Sequence, residues 1–234
     1  MLSIRPIIIP IVITIALVEF LIMTIFYLFP FFSPAAEVFI DVLLLSSLSA
    51  PIIYAWIIKP YVVAQQEATE TISHLAAHDP LTDLANRRLL YESLEKLLSS
   101  LARHKMYAAI LYIDLNKFKI INDQDGHDVG DVILQQTAER LSHVVRQEDL
   151  ASRIGGDEFV LLLTQLGKNK NKAISDTVAI ADKVKSSIKQ PIEINNKSYS
   201  ISASIGVRIL TPEDKEVDQV LKEADEAMYS SKKV

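Results

Sequence analysis

The chain has no cysteine, so disulfides and thiolate metal sites are closed to it. Any metal it holds must sit on oxygen or histidine. It also lacks basic excess: the net charge is −5 at pH 7, and acidic residues outnumber basic ones after Lys59 too. That argues against nucleic acid as a partner held through net charge. A nucleotide would need local positive groups. Internal repeats and low-complexity tracts are absent. Between residues 30 and 37 there is no Lys or Arg, whereas Arg5 and Lys59 lie outside the two apolar stretches that flank this gap.

Apolar residues are plentiful, half of the total, and unevenly spread. Two stretches, about 7–29 and 38–58, each reach the ~20 apolar residues that span a bilayer as a helix. The first is too long for a signal-peptide core of ~7–15 residues. The charge pattern places both termini in the cytoplasm, giving a multi-pass anchor of the inner (cytoplasmic) membrane over residues 1–59. Glu19 sits in the middle of the first span, where an ionisable group is costly and should face protein. Its depth matches Ser46, Ser47 and Ser49, so a carboxyl hydrogen-bonded to serines is expected. Asp41, near the outer surface, is expected to be solvated. Residues 60–78 are polar with sparse apolar positions and read as a helical stalk.

From 79 onward the pattern is that of a mixed α/β domain. "DPLTDLANRRLLYESLEKLLSSL" is helical past its first residues, with Asp79 or Thr82 as candidate cap. "YAAILYIDL" and "EFVLLL" are strands too apolar to be half exposed. A helix begins near Val129, another covers 172–189, and "VDQVLKEADEAMYSSKK" is the last. "PIEINNKSYSISASIGVRIL" reads as a hairpin turned at Asn195-Asn196. The order predicts a mixed sheet with helices packed against it.

Two carboxylates cap apolar strands. Asp114 ends "AAILYID", and Asp157 follows Gly155-Gly156, a pair suited to a tight turn that a bulky group can approach. If the strands are neighbours, both acids converge at one sheet edge. A hard divalent ion held by one or two carboxylates, with phosphates completing its shell, would suit that edge.

Four stretches in order, "DPLTDLANRR", "DLNKFKIINDQDGHDVGD", "GGDEF" and "EADEAMYSSKK", make residues 79–233 resemble the GGDEF-domain diguanylate cyclases. The resemblance implies a palm-like fold related to nucleotide cyclases and polymerases. It also implies condensation of two GTP into cyclic di-GMP with release of two pyrophosphates, in a homodimer using Mg²⁺ or Mn²⁺. By matching positions, Asp114, Asp157 and the Leu115 carbonyl are the metal ligands. Asp157 is also the base, Glu158 its acidic partner, and Lys119 the cation facing developing phosphate charge. Asn122 and Asp131 match the guanine readers, and His127, Gly155, Gly156 and Lys232 further substrate contacts. Arg146 and Asp149 match an Arg-x-x-Asp inhibitory product site. Asp83 stands where glycine is usual, and Asn116 where a second Asp is common.

Family domains commonly continue into a Gly-Arg-Asn tail whose arginine holds triphosphate. Here the sequence ends at Val234 with Lys233 as a poor stand-in, so weaker GTP binding is expected. The alternative expectations are a GGDEF domain that binds cyclic di-GMP or GTP without turnover, and a mononucleotide cyclase on a similar palm.

Overall fold

The computed structural model describes residues 5–28 and 33–232. Residues 29–32, which include part of the loop expected between the two spans, and Lys233 lie outside them. The described chain divides into two compact units, residues 1–73 and 74–234.

In the first unit, α1 (Arg5–Leu28) packs against α2 (Pro34–Ile53), which begins on Ser33 as a capping residue and runs through a π-helical turn (Tyr54–Ile58) into α3 (Lys59–Ala77). Pro51, unable to donate a backbone hydrogen bond, lies three residues before the start of that wider turn. The segments Ile8–Leu28 and Val38–Gln66 are long and apolar enough to cross a membrane. Leu17, Phe20, Phe39 and Trp56 face outward, while Ile22 and Ser49 are buried. The expected Glu19–serine bond is not among those formed by the described residues. Ser46, Ser47 and Ser49 instead return their hydroxyls to carbonyls three or four residues back in α2. A serine in a helix has the carbonyl of the preceding turn within reach of its hydroxyl. Asp41 is also not simply solvated, since its Oδ1 is buried without a partner.

The second unit contains α4 (Arg87–His104), β1 (Ala108–Asn116), α5 (Phe118–Asp125), α6 (His127–Val144), β2 (Leu150–Gly155) and β3 (Glu158–Leu163). It continues with α7 (Lys170–Ile188), β4 (Ile192–Ile194), β5 (Lys197–Tyr199), β6 (Ser202–Leu210) and α8 (Val217–Lys232). The main sheet has the order β2-β3-β1-β6. The α/β class is as expected, but every ladder is antiparallel. β1 and β2 do run parallel, yet β3 lies between them; the isolated bridge Ala85–Ser152 is the sole parallel pairing among the described residues.

Helices cover both faces of this sheet, which explains strands without alternation. Odd-numbered residues of β1, from Ala109 to Leu115, join Phe159, Leu161 and the apolar faces of α6 and α7. Even-numbered ones, Ala108, Ile110 and Tyr112, join Val160, Leu162 and the inward faces of α4 and α8. Continuing that alternation, Asp114 and Glu158 belong to the α4/α8 face.

Three local expectations change. α4 starts at Arg87, capped by Asn86, whose side chain accepts from Leu89 N at 3.1 Å. Asp79 and Thr82 form a preceding turn instead, in which Asp79 Oδ1 accepts from the Thr82 amide and hydroxyl. α6 starts at His127 rather than near Val129, after Gly126 at φ +90°. The Asn195-Asn196 turn, with both residues at positive φ, joins only β4 to β5; residues 202–210 leave the hairpin for the main sheet beside β1.

Candidate active site

β1 and β3 are antiparallel neighbours in a register that sets Asp114 directly across from Glu158. The hairpin between β2 and β3 turns at Gly156, with φ +26°, and Leu115 N donates to the Asp157 carbonyl at 3.2 Å. Two strand ends and one turn thus bring Asp114, Leu115, Asp157 and Glu158 to a single sheet edge, as their sequence positions imply.

Charge is crowded there. Asp114 is buried to 9% exposure, and Lys232 from the last turn of α8 donates to its Oδ1 at 2.7 Å. Burial, then Asp225 and Asp114, hold the Glu158 carboxyl above the usual range despite a hydrogen bond from Tyr112. Burial also raises the Tyr112 phenol, helped by Glu158 and Asp225. The hydrogen bond to Asp114 raises Lys232. One ammonium against Asp114, Asp157, Glu158 and Asp225 leaves an excess of negative charge in a half-buried place. Such a donor set, all oxygen and under mutual repulsion, fits a hard divalent cation.

The remaining residues form separate groups. Lys119 and Asn122 lie on α5, His127 and Asp131 on α6, and no hydrogen bond or ion pair among the described residues links these four to the carboxylate edge. Within this second group Asn122 Oδ1 is buried without a partner. It lies over Gly130, where any Cβ would overlap it and press on Phe118. A buried acceptor left unsatisfied costs about 1–3 kcal/mol and is relieved by an incoming donor. Lys119, His127 and Asp131 are exposed.

Arg146 and Asp149 lie at the far end of β3, about 20 Å along the strand from Glu158. Asp149 accepts from Arg146 N at 3.1 Å and from Thr164 N at 2.8 Å. Its carboxylate closes the turn after α6 onto the end of β3. Arg146 is exposed beside a cavity of about 360 Å³ that Lys168, Asn169 and Lys172 also line.

Supporting residues were less visible in the sequence. Arg153 donates from Nε and Nη2 to the Gly156 carbonyl at 3.0 and 2.8 Å, and from Nη1 to Asp79 at 3.0 Å. It ties the glycine turn to the 79–86 segment. The spacing of Asp79 and Thr82 is the signal for that turn. Gly206 on β6 lets α8 approach, since a Cβ there would overlap backbone atoms of Ala224 and Met228. That close packing is what carries Lys232 to Asp114.

Fold and edge together define an α/β domain that gathers carboxylates beside an open glycine turn. The family described as diguanylate cyclase, GGDEF domain, matches residues 76–234. The chain belongs to that family. It is 38% identical over 165 residues to the bifunctional diguanylate cyclase/cyclic di-GMP phosphodiesterase MucR of Pseudomonas aeruginosa, covering 70% of this chain and 23% of MucR. Against the diguanylate cyclase TpbB of Pseudomonas aeruginosa it is 36% identical over 169 residues, covering 72% of this chain and 38% of TpbB. The solved GGDEF domain of TpbB matches with a TM-score of 0.62 at 36% identity, over 67% of this chain and 88% of that domain. The chain spans 20% to 38% of the length of the first curated relatives it matches.

Proposed function

We propose that the protein is a membrane-anchored diguanylate cyclase that joins two GTP molecules into cyclic di-GMP, with release of two pyrophosphates. The observation that carries this reading is the convergence of Asp114, Asp157 and Glu158 at one sheet edge, with Lys232 against Asp114. In this reading residues 1–59 are the anchor, 60–78 the stalk and 79–234 the catalytic domain, with both termini cytoplasmic.

Asp114, Asp157 and the Leu115 carbonyl would hold Mg²⁺ or Mn²⁺. When bound, such an ion supplies charge neutralisation for the triphosphate and lowers the barrier to displacement of pyrophosphate. The protein's own groups do the rest. Asn122 meets the guanine donors with its unsatisfied Oδ1, and Asp131, one residue past Gly130, takes a second edge of the base. Adenine lacks that donor pair. His127 and Lys119 approach sugar and phosphates from the starts of α6 and α5; Lys119 balances charge that develops in the transition state. Gly155 and Gly156 keep the turn bare for the nucleotide. Asp157 accepts the proton of the attacking 3′-hydroxyl, with Glu158 as its acidic neighbour. Lys232 leaves Asp114 for phosphate oxygens when substrate arrives.

The product is two-fold symmetric and each domain holds one GTP, so two copies meet face to face as a homodimer. Two spans per chain in one membrane raise the effective concentration of that encounter. Arg146 and Asp149 would bind product for feedback inhibition, with Asp149 acting chiefly by fixing the turn that presents Arg146.

The test is incubation of the purified full chain in detergent with GTP and Mg²⁺. Cyclic di-GMP and pyrophosphate are expected in a one-to-two ratio. Failure to form it even at high protein concentration, with retained binding of cyclic di-GMP, would instead make the domain a receptor; a 3′,5′-cyclic mononucleotide would make it a different cyclase.

A further inference from the structure

His74, in the last turn of α3, and His78, four residues on, present their rings on one side of the chain, stacked with centroids 4.1 Å apart and planes 6° from parallel. Asp83, from the turn that follows, places Oδ1 3.6 Å from His74 Nε2. The backbone carbonyl of Asp83 accepts from His78 Nδ1 at 2.9 Å, which orients that ring. One nitrogen from each imidazole and one Asp83 carboxylate oxygen lie within 4.8 Å of one another. Among the described residues no other three His, Asp or Glu side chains bring their ligand atoms together this closely; the carboxylates of the sheet edge are more widely spaced.

We propose that His74, His78 and Asp83 bind a divalent transition-metal ion of the zinc and cobalt class. Two histidines at i and i+4 on one helical side are a recurrent pair of ligands for such ions. A tetrahedral zinc ion keeps its ligands about 3.3 Å apart, so modest side-chain rotation closes the set. The site is solvent-accessible: His74 is 52% and Asp83 83% exposed. An ion can therefore enter directly, and water completes its shell.

The backbone supports the assignment. Asp83 has φ +60°, a left-handed conformation that glycine adopts freely and that aspartate and asparagine tolerate better than other residues. A carboxylate is kept there, against two imidazoles. The donor set also differs in kind from the acidic sheet edge: imidazole nitrogen selects zinc, cobalt or nickel, whereas carboxylate and carbonyl oxygen suits magnesium. Bound metal would cross-link the last turn of α3 to the 79–86 turn, which Arg153 in turn fastens to Gly156. The inference stands independently of catalysis.

The experiment is a Co²⁺ titration of the purified full chain in excess Mg²⁺, read by ligand-field absorption and by displacement with Zn²⁺. One equivalent per chain is expected, with intense bands of low-symmetry coordination that Zn²⁺ abolishes. His74→Gln and Asp83→Asn should each weaken Co²⁺ binding by at least about tenfold. Both substitutions suit the local backbone: His74 is an exposed helical position, and asparagine tolerates positive φ. Asp157→Asn should leave the signal intact. Absence of ligand-field bands, indifference to His74→Gln and Asp83→Asn, or loss of the signal in Asp157→Asn would each overturn the proposal.

Discussion

The two ends of β3 both carry acidic side chains, in opposite circumstances. At one end Glu158 faces Asp114 across the ladder, and burial, then the like charges of Asp225 and Asp114, push the Glu158 carboxyl up. At the other, Asp149 accepts two backbone amides, those of Arg146 and Thr164. A carboxylate satisfied by amides is part of the scaffold; one crowded by its own kind is prepared for a cation. The residue type is shared, and the number of donors aimed at it separates the two roles.

The largest effect should come from the crowded end. Asp157→Asn is expected to lower cyclic di-GMP formation by roughly 10²–10⁴-fold while the circular dichroism spectrum and melting temperature stay near those of the unaltered protein. Comparable loss from Asp149→Asn would erase the distinction. At the satisfied end, Asp149→Ala should cost about 1–3 kcal/mol of stability, seen as a lowered melting temperature, because two amide hydrogen bonds are lost.

A substrate effect of intermediate size is expected at Gly130. Gly130→Ala displaces Asn122 and should raise KM for GTP roughly tenfold with a smaller change in kcat. Equal falls in kcat and kcat/KM would place Asn122 in the chemical step instead. Arg146→Ala, by contrast with Asp149→Ala, should leave stability within about 0.5 kcal/mol and relieve inhibition late in the reaction. Unaltered inhibition would remove Arg146 from the product site.

The smallest effect concerns Asp79. Burial alone would raise its carboxyl, but hydrogen bonds from Thr82 and Arg153 outweigh burial and leave it below the ordinary value. Its stabilising contribution is therefore complete above the unfolded-state pKa of 3.8 and is lost as pH falls through the lower folded value. Asp79→Asn should flatten this acid limb, shifting the midpoint of acid unfolding by less than about one pH unit. A steeper limb in the variant would contradict the assigned direction.

Much of this arrangement is legible from local pattern. Two spans of apolar residues, strands apolar without alternation, and a Gly-Gly turn ahead of an acid each follow from neighbours a few positions apart. So does the convergence of Asp114 and Asp157, once two strands are taken as paired. The start of α4 is not legible in this way: Asp79 and Thr82 have the chemistry of a cap but use it on a turn, leaving Asn86 to cap the helix.

Contacts over long separations were not legible. Lys232 reaches Asp114 across 118 positions only because Gly206 lets α8 settle on β6. Asn122 is sunk and left without a partner because Gly130 has no side chain. Arg153 finds Asp79 74 residues away, and the serines of α2 turn to their own helix rather than to Glu19. Periodicity and turn chemistry act over one or two helical turns, so the chain's own order suffices to specify elements and the acids at their ends. Which glycine makes room, and which cation then arrives, depends on how faces pack, and no short window of sequence contains that information.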